Sequence, residues 1–205
     1  MNNIFLLLRE YNNNLCMKKF KFLLLSACIA LVACTTKTSS EQQVSDKGTK
    51  WSWDKGTIVV ETPERPAEQT SVIGLTIPKM EVVRVGFVGL GMRGPGAVER
   101  FTYIPGVEIV ALCDYEKERA EKCQKYLQRA SMPKAAIYSG EKGYEELCKR
   151  DDIDLVYIAT DWLHHFPVAM CAMENNKNVA IEVPSAMDLK ECWALVNMSE
   201  KTRKH

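Results

Sequence analysis

The stretch VVRVGFVGLGMRG, residues 82–94, decides the fold of this 205-residue chain. It begins as a valine-rich apolar run, which is typical of a strand buried on both faces of a parallel sheet. The run continues directly into a glycine-rich turn. Gly89 permits the tight turn, Gly91 lets another molecule approach the backbone, and Gly94 lets the next helix pack closely on the strand.

Four more apolar runs follow, and helical patterns separate them. The predicted strands cover residues 82–88, 107–113, 136–138, 155–159 and 179–183. Apolar residues recur at helical spacing in residues 120–130 and 166–173, where Pro167 is compatible with a helix only in the first turn. Residues 185–188, SAMD, form a possible capping box for a last helix. This alternation predicts an α/β fold with a doubly wound parallel sheet, a Rossmann domain.

The composition is that of a soluble globular protein. It has 46% hydrophobic and 26% charged residues, which excludes disordered, collagen-like and multi-pass membrane proteins. The formal net charge of +1 supplies no basic field, so we expect no nucleic-acid partner. The cysteines show no Cys-x-x-Cys pair, and we expect neither a disulfide framework nor a metal site.

The first 34 residues have the pattern of a secretory leader. A basic segment after Met17 precedes the apolar run 22–32, which is too short to span a bilayer. The run ends in Leu-Val-Ala-Cys34, which resembles a bacterial lipobox. This resemblance implies a lipid on Cys34 and a location on the periplasmic side of a bacterial membrane, the outer membrane because Thr35 is not acidic. An ordinary signal peptide or an uncleaved anchor is the alternative, and the true start is Met1 or Met17.

Three regions are predicted along the chain. Residues 1–34 are the leader, and residues 35–80 form a polar tether followed by an irregular arm. The arm contains Trp51, Trp53 and an extended segment. Residues 81–205 form the Rossmann domain.

The glycine turn and the end of the second strand together indicate a dinucleotide site. The helix after Gly94 offers free N–H groups and the positive end of its dipole to phosphates. Asp114 lies twenty residues beyond Gly94, where a carboxylate can accept hydrogen bonds from both adenosine ribose hydroxyls. Because a carboxylate there repels a 2′-phosphate, we expect NAD rather than NADP. The alternative is that the glycines serve packing and Asp114 caps a helix.

The loop after the fourth strand is expected to face the same cofactor. Ligands of such sheets bind at the carboxyl ends of the strands, where residues 160–167, TDWLHHFP, lie. Adjacent histidines point in different directions, so a two-histidine metal site is not expected. One histidine can cap or orient the loop, and Trp162 can cover the nicotinamide side. A purely structural loop is the alternative.

These motifs carry a family resemblance. GLGMRG, the acidic end of the second strand, ATDWLHH (159–165) and Glu182-Val-Pro together resemble the Gfo/Idh/MocA oxidoreductases. Val183 stands where dehydrogenases of that superfamily usually have a lysine linked to sugar oxidation. Glu-Val-Pro, with VRVGFVGLGMRGPGAVERF (83–101) and DWLHHFPVAMCAM (161–173), is similar to glycoside hydrolase family 109. That similarity covers residues 61–205.

The resemblance implies a retaining glycosidase that removes terminal α-N-acetylgalactosamine-type sugars and keeps NAD bound. Hydride leaves sugar C3 for NAD⁺, the C2 proton is removed, the glycosidic group is eliminated, water adds and the hydride returns. The cofactor-binding residues implied by the turn and the family are Gly89, Gly91, Met92, Arg93, Gly94, Asp114, Trp162, Leu163, His164, His165, Glu182 and Val183.

The family also implies a later α+β substrate domain, which we expect to lie beyond His205 together with every catalytic residue. The chain is then the N-terminal, cofactor-binding portion of a family member. The expected partners are a glycan with a terminal amino sugar and the lipid anchor, with a second copy of the chain in a homo-oligomer as a further candidate. A periplasmic NAD-dependent sugar dehydrogenase and a non-catalytic NAD-binding remnant are the alternatives.

Overall fold

The computed structural model describes residues 42–45 and 48–205. The predicted leader, including Met17 and Cys34, lies outside these residues. The chain divides into two compact units, Met1–Glu61 and Thr62–His205. In the part of the chain that the structure describes, every helix is too short or too polar to cross a membrane.

The first unit contains a small antiparallel sheet. Its strands are β1 (Gln43–Val44), β2 (Lys50–Asp54) and β3 (Thr57–Val60), in that spatial order. Lys55 and Gly56 connect β2 to β3 with φ angles of 48° and 81°. Two consecutive positive φ angles make the tight turn that suits the twist of a hairpin. The sequence predicted an extended arm here but not its pairing into a sheet.

The second unit is the predicted doubly wound sheet. Its strands are β4 (Val83–Val88), β5 (Val107–Asp114), β6 (Ala136–Ser139), β7 (Leu155–Ile158) and β8 (Asn178–Ile181). Its helices are α1 (Gly94–Phe101), α2 (Lys117–Arg129), α3 (Gly143–Cys148), α4 (Trp162–Glu174) and α5 (Leu189–Thr202). All five strands are parallel, in the order β6-β5-β4-β7-β8. The predicted fold class is confirmed.

Apolar side chains cover both faces of this sheet. Phe87 of β4 belongs to a buried cluster with residues of α1 and α2, such as Val98 and Leu127. Val88 belongs to a second cluster, with Leu147 of α3 and Val168 of α4. Neighbouring residues of one strand thus point into two cores, which explains why the strands read as continuous apolar runs.

Helix α4 begins earlier than its proline suggested. Asp161 caps it by accepting a hydrogen bond from the Leu163 N–H at 2.9 Å, so the helix starts at Trp162. Pro167 therefore lies inside the helix, in its second turn. The expectation that Pro167 belongs to the first turn was wrong, because the aspartate cap sets the start of the helix. The helix continues through Pro167, which has no N–H to donate to the Leu163 carbonyl oxygen.

The capping box of α5 lies three residues beyond the predicted one. Asp188, not Ser185, is the cap, and its Oδ1 accepts a hydrogen bond from the Glu191 N–H at 2.9 Å. Glu191 Oε2 in turn accepts from the Met187 N–H at 2.6 Å. This reciprocal pattern resembles a capping box, with the Met187 N–H as the donor to Glu191. Asp188 was predicted as the last residue of the box, and it is instead the cap that begins it.

The segment before β4 is held against α5. Glu200 of α5 is buried, with 4% of its surface exposed, and Arg65 Nε lies 3.0 and 2.9 Å from its two carboxylate oxygens. Arg203 donates to the Thr70 carbonyl oxygen at 2.9 Å. A buried carboxylate needs such a partner, so Arg65 attaches this segment to the helix.

Most cysteines of the second unit are core residues. Cys113 of β5, Cys123 of α2 and Cys148 of α3 are buried, whereas Cys192 of α5 is exposed. Burial raises the pKa of the Cys113 thiol to about 12 and that of Cys123 to about 11. These two thiols therefore stay protonated and act as small apolar groups.

Candidate functional site

The strand register brings the ends of four strands to one edge. Val88 of β4 pairs with Cys113 of β5 and with Ile158 of β7, and Ile158 pairs with Ile181 of β8. The residues that follow these four positions therefore emerge side by side. They are Gly89, Asp114, Ala159 and Glu182. Since the chain passes from one side of β4 to the other between β6 and β7, this edge is the switch point where such sheets bind ligands.

Two glycines of the turn are required by close packing. Gly89 has a φ of +92°, and a Cβ there would lie 2.5 Å from the carbonyl carbon of Ala159. A Cβ on Gly94 would overlap the carbonyl oxygen of Gly89. Gly89 thus lets the loop after β7 approach the turn, and Gly94 lets α1 start directly behind it.

Gly91 is glycine for a different reason. Outside the adjoining residues, the nearest heavy atom to a Cβ there would be Arg119 Nη1, at 3.8 Å. Nothing in the packing of the described residues excludes a side chain, yet the position faces the crevice beside the N-terminus of α1. The space beside this backbone is thus open, which a diphosphate contact at Gly91 would require.

Asp114 is buried at the end of β5 and bonded to the glycine turn. Its Oδ2 accepts a hydrogen bond from the Leu90 N–H at 2.6 Å, and its Oδ1 accepts from the Glu116 N–H at 2.9 Å. Arg119 Nη1 lies 3.5 Å from Oδ1. The carboxylate thus has a structural role, holding the turn to β5. Because two carboxylate oxygens offer about four acceptor positions, it retains capacity for a ribose hydroxyl.

The loop after β7 is ordered by Asp161 and His164. His164 Nδ1 lies 2.7 Å from Asp161 Oδ2, and both side chains are more than half exposed. Partial burial acts to raise the pKa of Asp161, but the hydrogen bond and charge of His164, together with backbone N–H groups, outweigh it and lower the pKa. Trp162 and Leu163 carry large apolar side chains that are 60% and 74% exposed. Their exposure leaves an apolar surface beside the crevice.

His165 is buried and joins two loops. Its Nδ1 lies 2.7 Å from the Pro184 carbonyl oxygen and its Nε2 lies 3.1 Å from the Thr160 carbonyl oxygen. Only 1% of the residue is exposed. Both ring nitrogens are thus used within the protein, and the side chain orients the ends of β7 and β8, which agrees with the orienting role considered for one histidine.

The end of β8 places a carboxylate and an apolar side chain at the crevice. Glu182 Oε1 accepts a hydrogen bond from the Tyr157 hydroxyl at 2.6 Å. Burial, followed by this hydrogen bond, raises the pKa of Tyr157. Val183 is 83% exposed. The position where the related dehydrogenases usually have a lysine therefore presents an aliphatic group to solvent.

These strand ends line one open crevice of about 1810 Å³. Of the predicted cofactor-binding residues, all but Gly94 line it, because Gly94 lies behind the turn. Tyr115 and the residues of α2 that face the crevice, including Arg119, were not predicted from the sequence. They follow Asp114 closely along the chain, but this closeness does not indicate which side of α2 faces a ligand. In the part of the chain that the structure describes, no cluster of potential metal ligands is found.

Comparison with protein families gives one match, and it covers the second unit. Residues 83–205 match the family described as an oxidoreductase family with an NAD-binding Rossmann fold, named for Gfo, Idh and MocA. The chain belongs to the Gfo/Idh/MocA oxidoreductase family. The glycine turn, the sheet order and the crevice at the switch point are thus those of an NAD(P)-type Rossmann domain.

Individual relatives extend the match toward the N-terminus. The chain is 74% identical over 191 residues to glycosyl hydrolase family 109 protein 5 of Phocaeicola vulgatus, which covers 92% of this chain and 36% of that protein. It is 58% identical over 186 residues to glycosyl hydrolase family 109 protein 1 of Bacteroides thetaiotaomicron, which covers 90% of this chain and 38% of that protein. The chain thus spans little more than a third of the length of these relatives. The resemblance to family 109 is confirmed.

A solved structure agrees with the fold. The myo-inositol dehydrogenase of Lactobacillus casei, in complex with NAD(H) and myo-inositol, is 27% identical with a TM-score of 0.51. The match covers 58% of this chain and 33% of that one. It supports the assignment of the second unit as a nicotinamide-dinucleotide-binding domain.

Proposed function

We propose that this chain binds NAD in the crevice at the carboxyl edge of its sheet. The observation that carries the proposal is the pairing of Gly91, whose missing side chain leaves the crevice open, with Asp114 at the end of the neighbouring strand. Gly91 lets the diphosphate lie close to the backbone and to the N-terminus of α1. Asp114 accepts hydrogen bonds from the ribose of the adenosine. The separation of the two follows from the register of β4 and β5.

NAD is favoured over NADP by charge. Asp114 puts a carboxylate at the expected ribose position. A 2′-phosphate would bring a further negative charge to this group, whereas a 2′-hydroxyl donates to it. Isothermal titration calorimetry with each dinucleotide tests this preference, and tighter binding of NADP would contradict it.

We propose further that the protein is the cofactor-binding portion of a glycosidase acting on terminal α-N-acetylgalactosamine-type residues. Bound NAD would accept hydride from C3 of the sugar and later return it. The role of this chain is to hold the dinucleotide. Trp162 and Leu163, in the first turn of α4, form an apolar wall beside the crevice. His165 fixes this turn to the loops that follow β7 and β8. The names of the relatives support the glycosidase, and Val183 supports it over a dehydrogenase because it offers no group for proton transfer.

A sugar dehydrogenase is the second candidate, because the structural neighbour in complex with NAD(H) is a dehydrogenase of a polyhydroxylated ring, myo-inositol. One assay separates the two candidates. The protein, together with the substrate domain that the proposal requires, is supplied with NAD and 4-nitrophenyl α-N-acetylgalactosaminide, and in parallel with free N-acetylgalactosamine. A glycosidase releases nitrophenol from the first with no net accumulation of NADH, measured by its fluorescence, whereas a dehydrogenase accumulates NADH from the free sugar. Dinucleotide binding without either reaction would reduce the proposal to a binding domain.

We propose that Cys34 carries a lipid that anchors the protein to the periplasmic side of a bacterial membrane. The support is the lipobox-like sequence alone. Labelling of cells with radioactive palmitate should mark the wild-type protein and not the Cys34→Ala variant. Labelling of that variant would disprove the assignment.

A further inference from the structure

Arg119 lies between the two groups that define the proposed cofactor site. It belongs to the first turn of α2, and its Nη1 lies 3.8 Å from the Cβ position of Gly91 and 3.5 Å from Asp114 Oδ1. The guanidinium thus bridges the backbone expected to meet the diphosphate and the carboxylate expected to meet the ribose. The side chain is 45% exposed and lines the crevice.

Glu116 holds the other side of this guanidinium. Arg119 Nη2 lies 3.1 Å from Glu116 Oε1. Glu116 stands at the N-cap of α2, but its side chain makes no capping hydrogen bond there. The charge of Glu116 is therefore directed to Arg119 and is not needed to begin the helix.

We propose that the Glu116–Arg119 ion pair makes the site reject NADP. The inference rests on the proposed dinucleotide site and names the residues that set its choice of cofactor. Arg119 lies 3.5 Å from Asp114, the expected ribose ligand, and a guanidinium is well suited to bind a phosphate with two parallel hydrogen bonds. Glu116 pairs with the other side of this guanidinium and neutralises it. A 2′-phosphate then meets the Asp114 carboxylate and a guanidinium that is already paired.

Removal of the Glu116 charge should therefore admit NADP through Arg119. Glu116→Gln leaves a side chain of the same size and leaves Asp114 in place for the ribose. The NADP dissociation constant should fall at least about tenfold, since a hydrogen bond to a charged group is typically worth that factor or more. NAD has no 2′-phosphate, so its dissociation constant should change by less than about twofold, as expected for an exposed charge.

The experiment measures both dinucleotides by isothermal titration calorimetry on four variants. They are the wild type, Glu116→Gln, Glu116→Gln combined with Arg119→Gln, and Glu118→Gln. Glu118 is an exposed acid in the first turn of α2, and like Glu116 it lies outside the crevice lining. Among the ion pairs of the described residues, Arg119 pairs with Asp114 and Glu116 and not with Glu118. Glu118→Gln therefore makes the same change of net charge and leaves the Glu116–Arg119 pair intact. Melting temperatures of all four confirm that each is folded.

The inference predicts that only Glu116→Gln gains NADP affinity. A gain that persists without Arg119 would mean that another cation of the crevice, such as Lys122 or Lys125, holds the phosphate, and it would overturn the assignment. An equal gain in Glu118→Gln would reduce the effect to net charge and would also overturn it. Unchanged NADP binding in Glu116→Gln, in a protein that binds NAD, would refute the ion-pair inference alone. A wild type that binds neither dinucleotide would refute the proposed site as well.

Discussion

Substitution of Gly91 by alanine separates cofactor binding from folding. The added methyl group would contact only Arg119 Nη1, at an ordinary 3.8 Å, and Gly91 is not among the glycines with positive φ. Folding should therefore be unharmed, or favoured by about 0.4–1 kcal/mol because the unfolded chain becomes less flexible. In the crevice, however, the methyl group would stand where the diphosphate must approach the backbone.

The expected loss of NAD affinity is about 5-fold to 150-fold. This range corresponds to the roughly 1–3 kcal/mol that an extra methyl group costs in a closely packed contact. Calorimetric titration with NAD measures the loss, and thermal unfolding without ligand measures the stability of the variant. Binding should weaken while the melting temperature stays the same or rises.

Gly96→Ala is the matched control. Gly96 lies inside α1, and a Cβ there would contact Arg100 Nη1 at 3.4 Å, outside the crevice lining. This variant should bind NAD like the wild type. If Gly91→Ala binds NAD with unchanged affinity, the diphosphate does not approach Gly91, and the placement of the cofactor is wrong.

Three other substitutions test the structure around the site. Gly89→Ala should lower the free energy of unfolding by about 2–4 kcal/mol, because a Cβ at positive φ meets the backbone of Ala159; a urea titration that finds wild-type stability would contradict the close approach of the two loops. Asp114→Ala should lower the melting temperature, because it leaves the N–H groups of Leu90 and Glu116 without their acceptor. It should also weaken NAD binding by about 1–3 kcal/mol, because it removes the ribose ligand. Differential scanning fluorimetry with and without NAD measures both effects, and an unchanged melting temperature would argue against the hydrogen bonds between Asp114 and the turn. Hydrogen bonds from Arg84 hold the pKa of Asp154 below its usual 3.8, so its stabilising contribution is present above that pH and is lost as the pH falls toward the folded-state pKa. Asp154→Asn should therefore make the free energy of unfolding less dependent on pH below about 4, and urea titrations at pH 7 and in acid would contradict this if the two proteins lose stability in parallel.

The strands could be predicted from sequence because both faces of the sheet are covered. A strand between two layers of helices must be apolar at nearly every position, and this pattern is visible without knowing its partners. The observed β5, Val107–Asp114, differs from its predicted range by one residue. The glycine turn could be interpreted for a different reason, since the positive φ of Gly89 and the packing of Gly94 on the turn follow from local backbone geometry. The contact of Gly89 with Ala159, which follows another strand, could not be predicted in this way.

The features that were not predicted from the sequence are of two kinds. Some depend on a choice between two residues that can each begin a helix, and others on residues that come together only in the folded chain. Both Ser185 and Asp188 can cap a helix, and each is followed by an acid three residues later. The choice between them is made by packing, and in the structure Asp188 is the cap and Glu191 accepts from the Met187 N–H. Likewise, Pro167 suggested that the helix starts near it, but the helix starts earlier, at the residue that follows the cap Asp161. Arg119 could not be predicted as a site residue, because it reaches Gly91 and Asp114 only through the packing of α2 against the turn.

A crystal structure of the protein grown with NAD tests the central claim most directly. The account predicts density for the diphosphate over Gly91 and the N-terminus of α1, with the adenosine ribose hydroxyls within hydrogen-bond distance of Asp114 and the nicotinamide toward Trp162. Density for the dinucleotide elsewhere, or an empty crevice at a saturating NAD concentration, would contradict it.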